Sequence, residues 1–512
     1  MKGEGLGDKP CIAPVKGSAV IGDFWFFSAL AFALVLAGLV QFLLYSSGFY
    51  GISADDSGRS IVAYKWSSNM KMSATTWLPF DRVVVGLLLR FWPDLFIVPR
   101  VVVSVFGIFT VVSLTWLSHE LFKNRAISVF TAFLSAVFAP RVILSVVPLA
   151  EIMFISMVVT ALAFFVRWLS SMRSLDLFFT SFFFTVGSSI RYEGWVFSLC
   201  FVLYLIGTYF RKEGGCGISA WTVFFSAAIV GLFPIYWMSI YFADTGNPVG
   251  FFFAYRDPLS EFHQRFAVTS SKLLRAFALR QFLTLNCESF NLVGIFSLAA
   301  LAKDHGLIRR WAVVPFASLA VFSGFGLLGY GTIVTHSLWA PVAVWAVLLV
   351  PFSAHFIFRQ WEDLLGGGRL GGVAVLASMM VLFLAQMDVM TLRPDFTAYD
   401  RAVGEYLRVL LVKSPSARVL VESRDWGFIH VEVASRHPYS FVPNSGTPYL
   451  EKPGEDILLK GDRIEGSGLI ERNITFLAFK GVNYQRLLDS DPRFDRLERF
   501  GAWSVYRFNS AG

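Results

Sequence analysis

Long apolar runs are the feature that most constrains the fold of this chain. About 20 consecutive apolar residues are needed to cross a bilayer, and runs of this kind recur up to residue 390. Only 16% of the 512 residues are charged, whereas a soluble globular domain carries about 25%. Much of the surface must therefore face lipid. This composition excludes disordered, nucleic-acid-coating and ordinary cytosolic proteins and predicts a polytopic α-helical membrane protein.

About eleven transmembrane helices are predicted from the length of the apolar runs. They fall near residues 23–45, 97–118, 126–146, 149–168, 176–190, 195–210, 218–242, 281–302, 311–330, 338–358 and 370–390. Segment 80–94 is apolar but short, and it is interrupted by Arg82, Arg90 and Pro93. We expect this segment to lie in the membrane interface. If it crosses the membrane instead, every later loop changes side.

Basic residues at the helix ends predict the orientation of the chain. Every short loop on one side is basic, as at Arg211-Lys212, which places the lead-in 1–22 inside. Two long loops, 46–96 and 243–280, then lie outside. The four cysteines form no CxxC pair and no disulfide framework. This pattern is compatible with the cytoplasmic membrane of a bacterium or archaeon.

Residues 391–512 follow the membrane module, 23–390, and are predicted to form a soluble extracytoplasmic α/β domain. They hold 17 Lys and Arg and 16 Asp and Glu of the 80 charged residues. This balance argues against a nucleic-acid-binding tail. Apolar residues from Val403 to Leu411 recur at helical spacing. Strands are predicted at 418–422, 474–480 and 503–508.

The few charges of the membrane module gather at the outer ends of the predicted spans. The first long loop contains the sequence ADDSGR at residues 54–59. Two adjacent carboxylates at a membrane surface are costly unless they are solvated, paired or useful. A helix cap with an Asp55/Arg59 ion pair is the structural alternative. The other candidates are Lys65, Arg100, Glu151, Arg191, Tyr192, Glu193 and His336. Each alone fits an interface anchor or a structural residue. Seven of the charged residues nevertheless converge on one outer face: Asp55, Asp56, Arg59, Arg100, Glu151, Arg191 and Glu193.

The order of these features resembles the GT-C superfamily of membrane glycosyltransferases. The acidic pair in the first outer loop is followed by Trp77-Leu78-Pro79-Phe80, Arg100, Glu151 and the sequence SSIRYEGW at 188–195. This order is similar to the protein-mannosyltransferase-like and aminoarabinose-transferase-like branch, and the resemblance covers roughly residues 20–390. It implies an inverting enzyme that moves a hexosyl or pentosyl group from a polyprenyl-phosphate sugar. The acceptor would be a hydroxyl of a glycan, a lipid or a protein on the outer face.

The resemblance also implies roles for individual residues. The catalytic base maps onto Asp55, while the second catalytic carboxylate, Asp56, stands where the family usually has Glu. Orienting Arg59, binding the sugar and holding a metal all stay open for Asp56. The leaving phosphate regains negative charge and needs a fixed cation. The candidates for this cation are Arg191 first, then Arg59, Lys65 and Arg100. The candidates for substrate binding are Glu151, Tyr192, Glu193 and His336.

No cofactor is required by this scheme, although related oligosaccharyltransferases use a metal and a divalent metal is left open. The expected partners are the lipid-linked donor, the acceptor and the bilayer, without nucleic acid. A transporter or flippase of a lipid-linked sugar is the main alternative, but it predicts charged or broken helices at the midplane and related halves, which the sequence does not show. An oligosaccharyltransferase-like enzyme is the other alternative, although the tail lacks the Trp-Trp-Asp motif of those enzymes.

Overall fold

The computed structural model describes most of the membrane module and most of the tail. The described residues are 22–75, 77–211, 218–251, 292–301, 314–315, 317–318, 339–365, 396–423, 426–444, 456–460 and 463–509. The predicted spans near 281–302 and 311–330 are described only in part. The span near 370–390, most of loop 243–280 and His336 lie outside the described residues.

Helices make up the described membrane module. They are α1 (Asp23–Ser46), α2 (Ala54–Asn69), α3 (Pro79–Phe91), α4 (Ile97–Phe122), α5 (Arg125–Val137), α6 (Ala139–Leu144), α7 (Glu151–Ser171), α8 (Ser174–Ser188), α9 (Glu193–Arg211), α10 (Ala220–Thr245), α11 (Leu292–Leu301), α12 (Trp339–Leu348) and α13 (Val350–Leu365). Five of them, α1, α4, α7, α9 and α10, are long and apolar enough to cross a membrane. The helical membrane class is therefore confirmed, while the number of spans stays a prediction.

The span predicted near 126–146 is not one continuous helix, because the structure divides it into α5 and α6. Pro140 has no N–H and cannot bond the carbonyl four residues before it, that of Ala136. Arg141 is fully buried and donates Nη2 to this carbonyl at 2.7 Å. The guanidinium of Arg141 therefore donates to the carbonyl oxygen that Pro140 leaves without a partner, and it does so from inside the helix bundle.

The loop between α1 and α4 folds into two packed helices, α2 and α3. Gly86 of α3 allows their close approach, since a Cβ at this position would lie 2.8 Å from the carbonyl oxygen of Ala63. The segment after α2 is fixed to the end of α10, where Asp244 accepts a hydrogen bond from the Ala74 backbone N–H at 2.7 Å. This loop is therefore an ordered part of the module, and it carries the acidic pair.

Helix α3 is the segment that was predicted to lie in the membrane interface. Val85 and Leu89 on one face pack into the core of the module. Leu88 and Phe91 on another face are exposed, Phe91 by 88%. An amphipathic helix with an exposed apolar edge fits the interface. Whether α3 lies in the interface or crosses the bilayer stays a prediction.

The tail is a small α/β domain, as the sequence predicts. Its elements are α14 (Ala398–Lys413), β1 (Arg418–Val421), α15 (Gly427–Ser435), a 3-10 turn (Pro438–Ser440), β2 (Phe441–Pro443), β3 (Leu459–Lys460), β4 (Arg463–Ile464), α16 (Ser467–Glu471), β5 (Ile474–Phe479), α17 (Val482–Ser490), β6 (Phe494–Phe500) and β7 (Trp503–Phe508). The predicted helix and three strands correspond to α14, β1, β5 and β7. The sequence did not predict α15, α17 or β6.

The main sheet of the tail has the strand order β2-β1-β5-β7-β6. β1 is parallel to β2 and β5, whereas β7 is antiparallel to β5 and β6. Val419 and Val421 of β1 enter one apolar core and Leu420 enters another. Because both faces of β1 are buried, it is apolar without alternation, which is typical of a parallel strand between two layers.

Candidate active site

Asp55 and Asp56 lie in the first turn of α2 but face different surroundings. Asp56 is fully buried, and its Oδ2 accepts hydrogen bonds from the backbone N–H groups of Ile52 at 2.8 Å and Ser53 at 3.2 Å. Asp55 is partly exposed and forms no hydrogen bond or ion pair with the described residues. The two adjacent acids therefore differ in burial and in hydrogen bonding, and their separate roles stay a prediction.

The surroundings of Asp56 are those of a helix-start residue. Burial raises the pKa of its carboxyl, although nearby His430 and the backbone N–H groups of Ser53 and Ile52 oppose the rise. Gly51 packs against the carboxylate so closely that a Cβ there would lie 2.6 Å from Oδ2. Asp56 therefore satisfies backbone donors at the start of α2. A catalytic role for Asp56 stays a prediction.

Arg59 follows Asp55 by one helical turn, so both side chains lie on the same side of α2. Its Nη1 donates to Asp81 Oδ2 at 2.6 Å, and its guanidinium lies over the ring of Trp77, 4.9 Å from the centroid. Burial would lower the pKa of Arg59, but the carboxylates of Asp81 and Glu151 outweigh it and raise this pKa. The Asp55/Arg59 ion pair of the capping alternative is not formed within the described residues, because Arg59 pairs with Asp81.

Arg191 joins the beginnings of α7 and α9. Its Nε and Nη2 donate to the two carboxylate oxygens of Glu193 at 3.1 and 2.7 Å, and its Nη1 donates to Glu151. Both glutamates occupy first helical turns, where a negative charge is favourable. The structure therefore brings together three residues that the sequence predicted as a site, and it uses them as a bridge between two helices.

A narrow cavity lies between the loop helices and the membrane helices. It is lined by Arg59, Ser60, Asp81, Val85, Pro99, Val103, Pro148, Leu149 and Met153. Two buried polar atoms of its wall, Arg59 Nε and Asp81 Oδ1, have no hydrogen-bond partner among the described residues. The same holds for Glu151 Oε2, which lies two residues from Leu149. Buried polar groups are rarely left unpaired, so this cavity is the candidate active site.

Two of the predicted cations lie elsewhere. Arg100 is buried and donates to the carbonyl oxygens of Phe96 and Tyr50, at 2.6 Å each. Lys65 is exposed on α2 and lies close enough to Glu432 of the tail to lower the pKa of that carboxyl. Both residues therefore face the junction with the tail, and their predicted roles in phosphate binding stay predictions.

Tyr192 belongs to an aromatic cluster beside the Arg191 bridge. Its hydroxyl accepts a hydrogen bond from Trp237 Nε1 at 3.2 Å, and its ring stacks on Phe251 with centroids 5.0 Å apart. Helix α10 and the segment after it are thus fixed to the turn that carries Arg191. A role of Tyr192 in substrate binding stays a prediction.

The sequence missed two residues that the structure connects to α2. Asp81 pairs with Arg59, and the signal for it was an acid inside an otherwise apolar, amphipathic segment. His430 of the tail shares a hydrogen bond with Ser57 at 2.8 Å, between Nδ1 and Oγ, across 373 residues of sequence. No local pattern in the sequence could have indicated this contact.

Three solved structures resemble this chain over most of its length. The first is ArnT from Cupriavidus metallidurans in the apo state, with a TM-score of 0.59, 11% identity and coverage of 94% of this chain and 98% of that one. The same protein bound to undecaprenyl phosphate has a TM-score of 0.52, 12% identity and coverage of 95% and 98%. The oligosaccharyltransferase of Archaeoglobus fulgidus in the apo form has a TM-score of 0.53, 12% identity and coverage of 90% and 70%. No family model and no curated protein matches the chain.

The chain therefore shares the fold of ArnT and of this oligosaccharyltransferase, and this confirms the fold that the resemblance implied. The apolar helices together with this fold make the chain an integral membrane protein.

A metal was left open by the sequence. The oligosaccharyltransferase of Archaeoglobus fulgidus has also been solved in complex with Zn and sulfate. In the part of this chain that the structure describes, no three His, Cys, Asp or Glu side chains lie together as a metal site. The Oδ2 atom of Asp56 is turned to backbone N–H groups, and Asp81 and Glu151 pair with arginines. The second carboxylate oxygens of these three residues, Asp56 Oδ1, Asp81 Oδ1 and Glu151 Oε2, have no hydrogen-bond partner among the described residues, and we assign no step to a metal.

Proposed function

We propose that the chain transfers a sugar from a polyprenyl-phosphate donor to an acceptor hydroxyl, with inversion at the anomeric carbon. The observation that carries this proposal is the cavity face of α2. Arg59 lines the cavity, is charged and largely buried, and has no partner for its Nε among the described residues. One turn before it on the same side of α2, the carboxylate of Asp55 also has no partner among the described residues. The fold is shared with a protein solved with undecaprenyl phosphate, which supports a donor of this lipid class.

Asp55 is the base in this proposal. As the acceptor oxygen attacks the anomeric carbon, the hydroxyl proton passes to the Asp55 carboxylate, and the bond from that carbon to the phosphate oxygen breaks. The electron pair of this bond leaves with the lipid phosphate, which becomes more negative. General-base catalysis of this kind contributes about 10²–10⁴-fold to the rate.

Arg59 is better placed than Arg191 to receive the developing phosphate charge. A guanidinium has five N–H donors. Arg191 already directs Nε, Nη1 and Nη2 to two glutamates, whereas Arg59 has one ion pair and keeps Nε free of protein partners among the described residues. We therefore assign the phosphate contact to Arg59 and the fixing of the surrounding helices to Arg191. This reverses the order expected from the sequence.

The site requires a particular orientation of the chain. We place the amino terminus inside and the tail outside the cytoplasmic membrane of a prokaryote. In this orientation α2 lies at the outer face, where the proposed transfer from the lipid-linked sugar takes place. A cysteine at Ser490, exposed at the end of α17, in a variant without the four native cysteines, tests this. We expect labelling by an impermeant thiol reagent in intact cells; labelling only after lysis would reverse the orientation.

The activity itself is tested in proteoliposomes supplied with a panel of polyprenyl-phosphate sugars and candidate acceptors. We expect release of polyprenyl phosphate and a new glycosidic product with wild type, and a loss of about 10²-fold or more with Asp55→Asn. Asp495→Asn is the matched control, because Asp495 is exposed on β6 of the tail and should transfer like wild type.

Two results would contradict the proposal. Equal transfer by wild type and folded Asp55→Asn would remove Asp55 as the base. Movement of the lipid-linked sugar across the bilayer without any product would instead indicate the flippase.

A further inference from the structure

The tail contacts the acid-bearing helix itself. Helix α15 packs against α2, and His430 of α15 shares a hydrogen bond with Ser57, with 2.8 Å between Nδ1 and Oγ. Both side chains are fully buried. Ser57 lies two residues after Asp55 in the first turns of α2, so this contact reaches the part of the helix where the proposed base is held.

The imidazole of His430 is itself held in place. Its ring stacks on Phe396, with centroids 4.7 Å apart and planes at 19°. The ring of Phe396 in turn packs edge-on against Tyr50 and Phe96, at 5.8 and 5.7 Å. These aromatic contacts fix the ring plane from the tail and from the beginning of α4. A side chain whose ring is held by such stacking can orient a hydrogen-bond partner precisely enough to matter for catalysis.

A second set of contacts joins the tail to the membrane module away from α2. Arg436 forms an ion pair with Asp94 of the membrane module at 2.7 Å, and within the tail it pairs with Glu405 of α14 at 2.9 Å. Arg401 donates Nη1 to the hydroxyl of Tyr50 at 2.6 Å. The tail is therefore docked by several groups, and among the described residues the side chain of His430 forms the hydrogen bond to α2.

We propose that His430 is a positioning residue, which acts on the reaction through Ser57 by fixing the first turn of α2 and so the direction of the Asp55 carboxylate. This inference rests on the proposed role of Asp55. A misplacement of a reacting group by about 1 Å can cost about 10²-fold in rate. The tail of this chain would then be part of the catalytic machinery of the membrane module, although it supplies no group that touches the reacting atoms.

The test compares His430→Leu with His430→Asn in the full-length protein. Asparagine keeps a polar atom near the position of Nδ1 and can still bond Ser57. Leucine has a similar volume but cannot form a hydrogen bond. We expect His430→Leu to lower kcat by about tenfold or more, with little change in KM for the donor, and to accelerate hydrogen exchange of the backbone amides at 54–58. His430→Asn should restore both readouts toward wild type.

Arg436→Met is the matched control, because it weakens tail docking without touching α2. It should leave kcat and the exchange at 54–58 close to those of wild type. A further check is the double variant Ser57→Ala/His430→Leu, which should lose no more rate than the more severe single variant, since both changes remove one contact.

Hydrogen exchange separates this inference from the proposed function. If His430→Leu leaves the exchange at 54–58 and the rate unchanged, or if Arg436→Met produces the same loss, the positioning role is overturned. If His430→Leu accelerates exchange as expected but Asp55→Asn transfers like wild type, the contact stands and the proposed role of Asp55 fails.

Discussion

The two faces of α2 differ in the kind of polar contact that they make. On the cavity face, Arg59 and Asp81 are charged partners that each keep a buried atom without a partner among the described residues. On the tail face, Ser57 and His430 share one hydrogen bond inside an aromatic cluster. The same short helix therefore carries paired charges beside a cavity and an uncharged hydroxyl in a packed interface.

This difference distinguishes side chains that can bind a substrate from side chains that hold α2 in place. Charges that keep unused donors and acceptors beside a cavity can bind another charged or polar group without breaking the pair. A hydroxyl–imidazole bond inside a packed interface has no room for a ligand and contributes orientation. Asp55 and Asp56, although adjacent, follow the same division. Asp55 has no partner among the residues that the structure describes, and Asp56 Oδ2 accepts hydrogen bonds from the backbone at the helix start.

The largest expected effect comes from breaking the ion pair on the cavity face. Arg59→Met leaves the buried Asp81 without its partner, and breaking a buried ion pair costs about 3–5 kcal/mol. We expect a much lower unfolding temperature in detergent and no transfer. In Arg59→Met/Asp81→Leu both charges are removed, so stability should largely return while transfer stays lost. Transfer by this double variant would show that Arg59 serves only to neutralise Asp81.

A smaller effect is expected at the ion pair that docks the tail. Arg436 and Asp94 are largely buried, with side chains 13% and 16% exposed. A double-mutant cycle with Arg436→Met and Asp94→Asn should give a coupling of about 1–2 kcal/mol in the free energy of unfolding. A coupling near zero would mean that the tail is held by apolar and aromatic contacts alone.

The next effect concerns the start of α2. Asp56→Ala removes the acceptor for the backbone N–H groups of Ile52 and Ser53, and the loss of such a cap costs about 1 kcal/mol. We expect a modest fall in unfolding temperature. Asp495→Ala is the control, because Asp495 is exposed on β6 and does not cap a helix. This variant should unfold like wild type.

The smallest effect is a pH dependence at the tail face. Burial raises the pKa of the Glu432 carboxyl from 4.5 to about 8, against the opposing charge of Lys65. The folded protein therefore keeps a proton that the unfolded chain has lost, and its stability should fall as the pH rises from about 4.5 to about 8. Because Glu432 is partly exposed, we expect a change of about 1 kcal/mol. Glu432→Gln should be insensitive to pH over this range, and an equal slope in this variant would assign the effect to another group.

The sequence predicted the features that depend on local pattern. Apolar length predicted α1, α4, α7, α9 and α10, because a bilayer imposes that length on every spanning helix. The spacing of apolar residues predicted α14 in the same way. The break between α5 and α6 was missed because the guanidinium of Arg141 replaces the donor that Pro140 lacks, and such a compensation is visible only in three dimensions.

The candidate site was predicted in its members and less well in their arrangement. Arg59, Glu151, Arg191 and Glu193 do gather, as the charge islands indicated. The sequence could not predict which carboxylate pairs with each arginine, because this depends on how the helices pack. The partner of Arg59, for example, is Asp81 of another helix. The contact of Ser57 with a residue of the tail depends on how two separate regions dock, and no pattern within either region encodes it.

The most direct measurement is the rate of sugar transfer by Asp55→Asn and Asp56→Ala, compared at equal amounts of folded protein and together with their unfolding temperatures. We expect Asp55→Asn to lose about 10²-fold or more of the rate while it unfolds like wild type. We expect Asp56→Ala to unfold earlier and to lose far less of the rate per folded molecule. Transfer at the wild-type rate by Asp55→Asn would contradict the division of roles between the two adjacent acids.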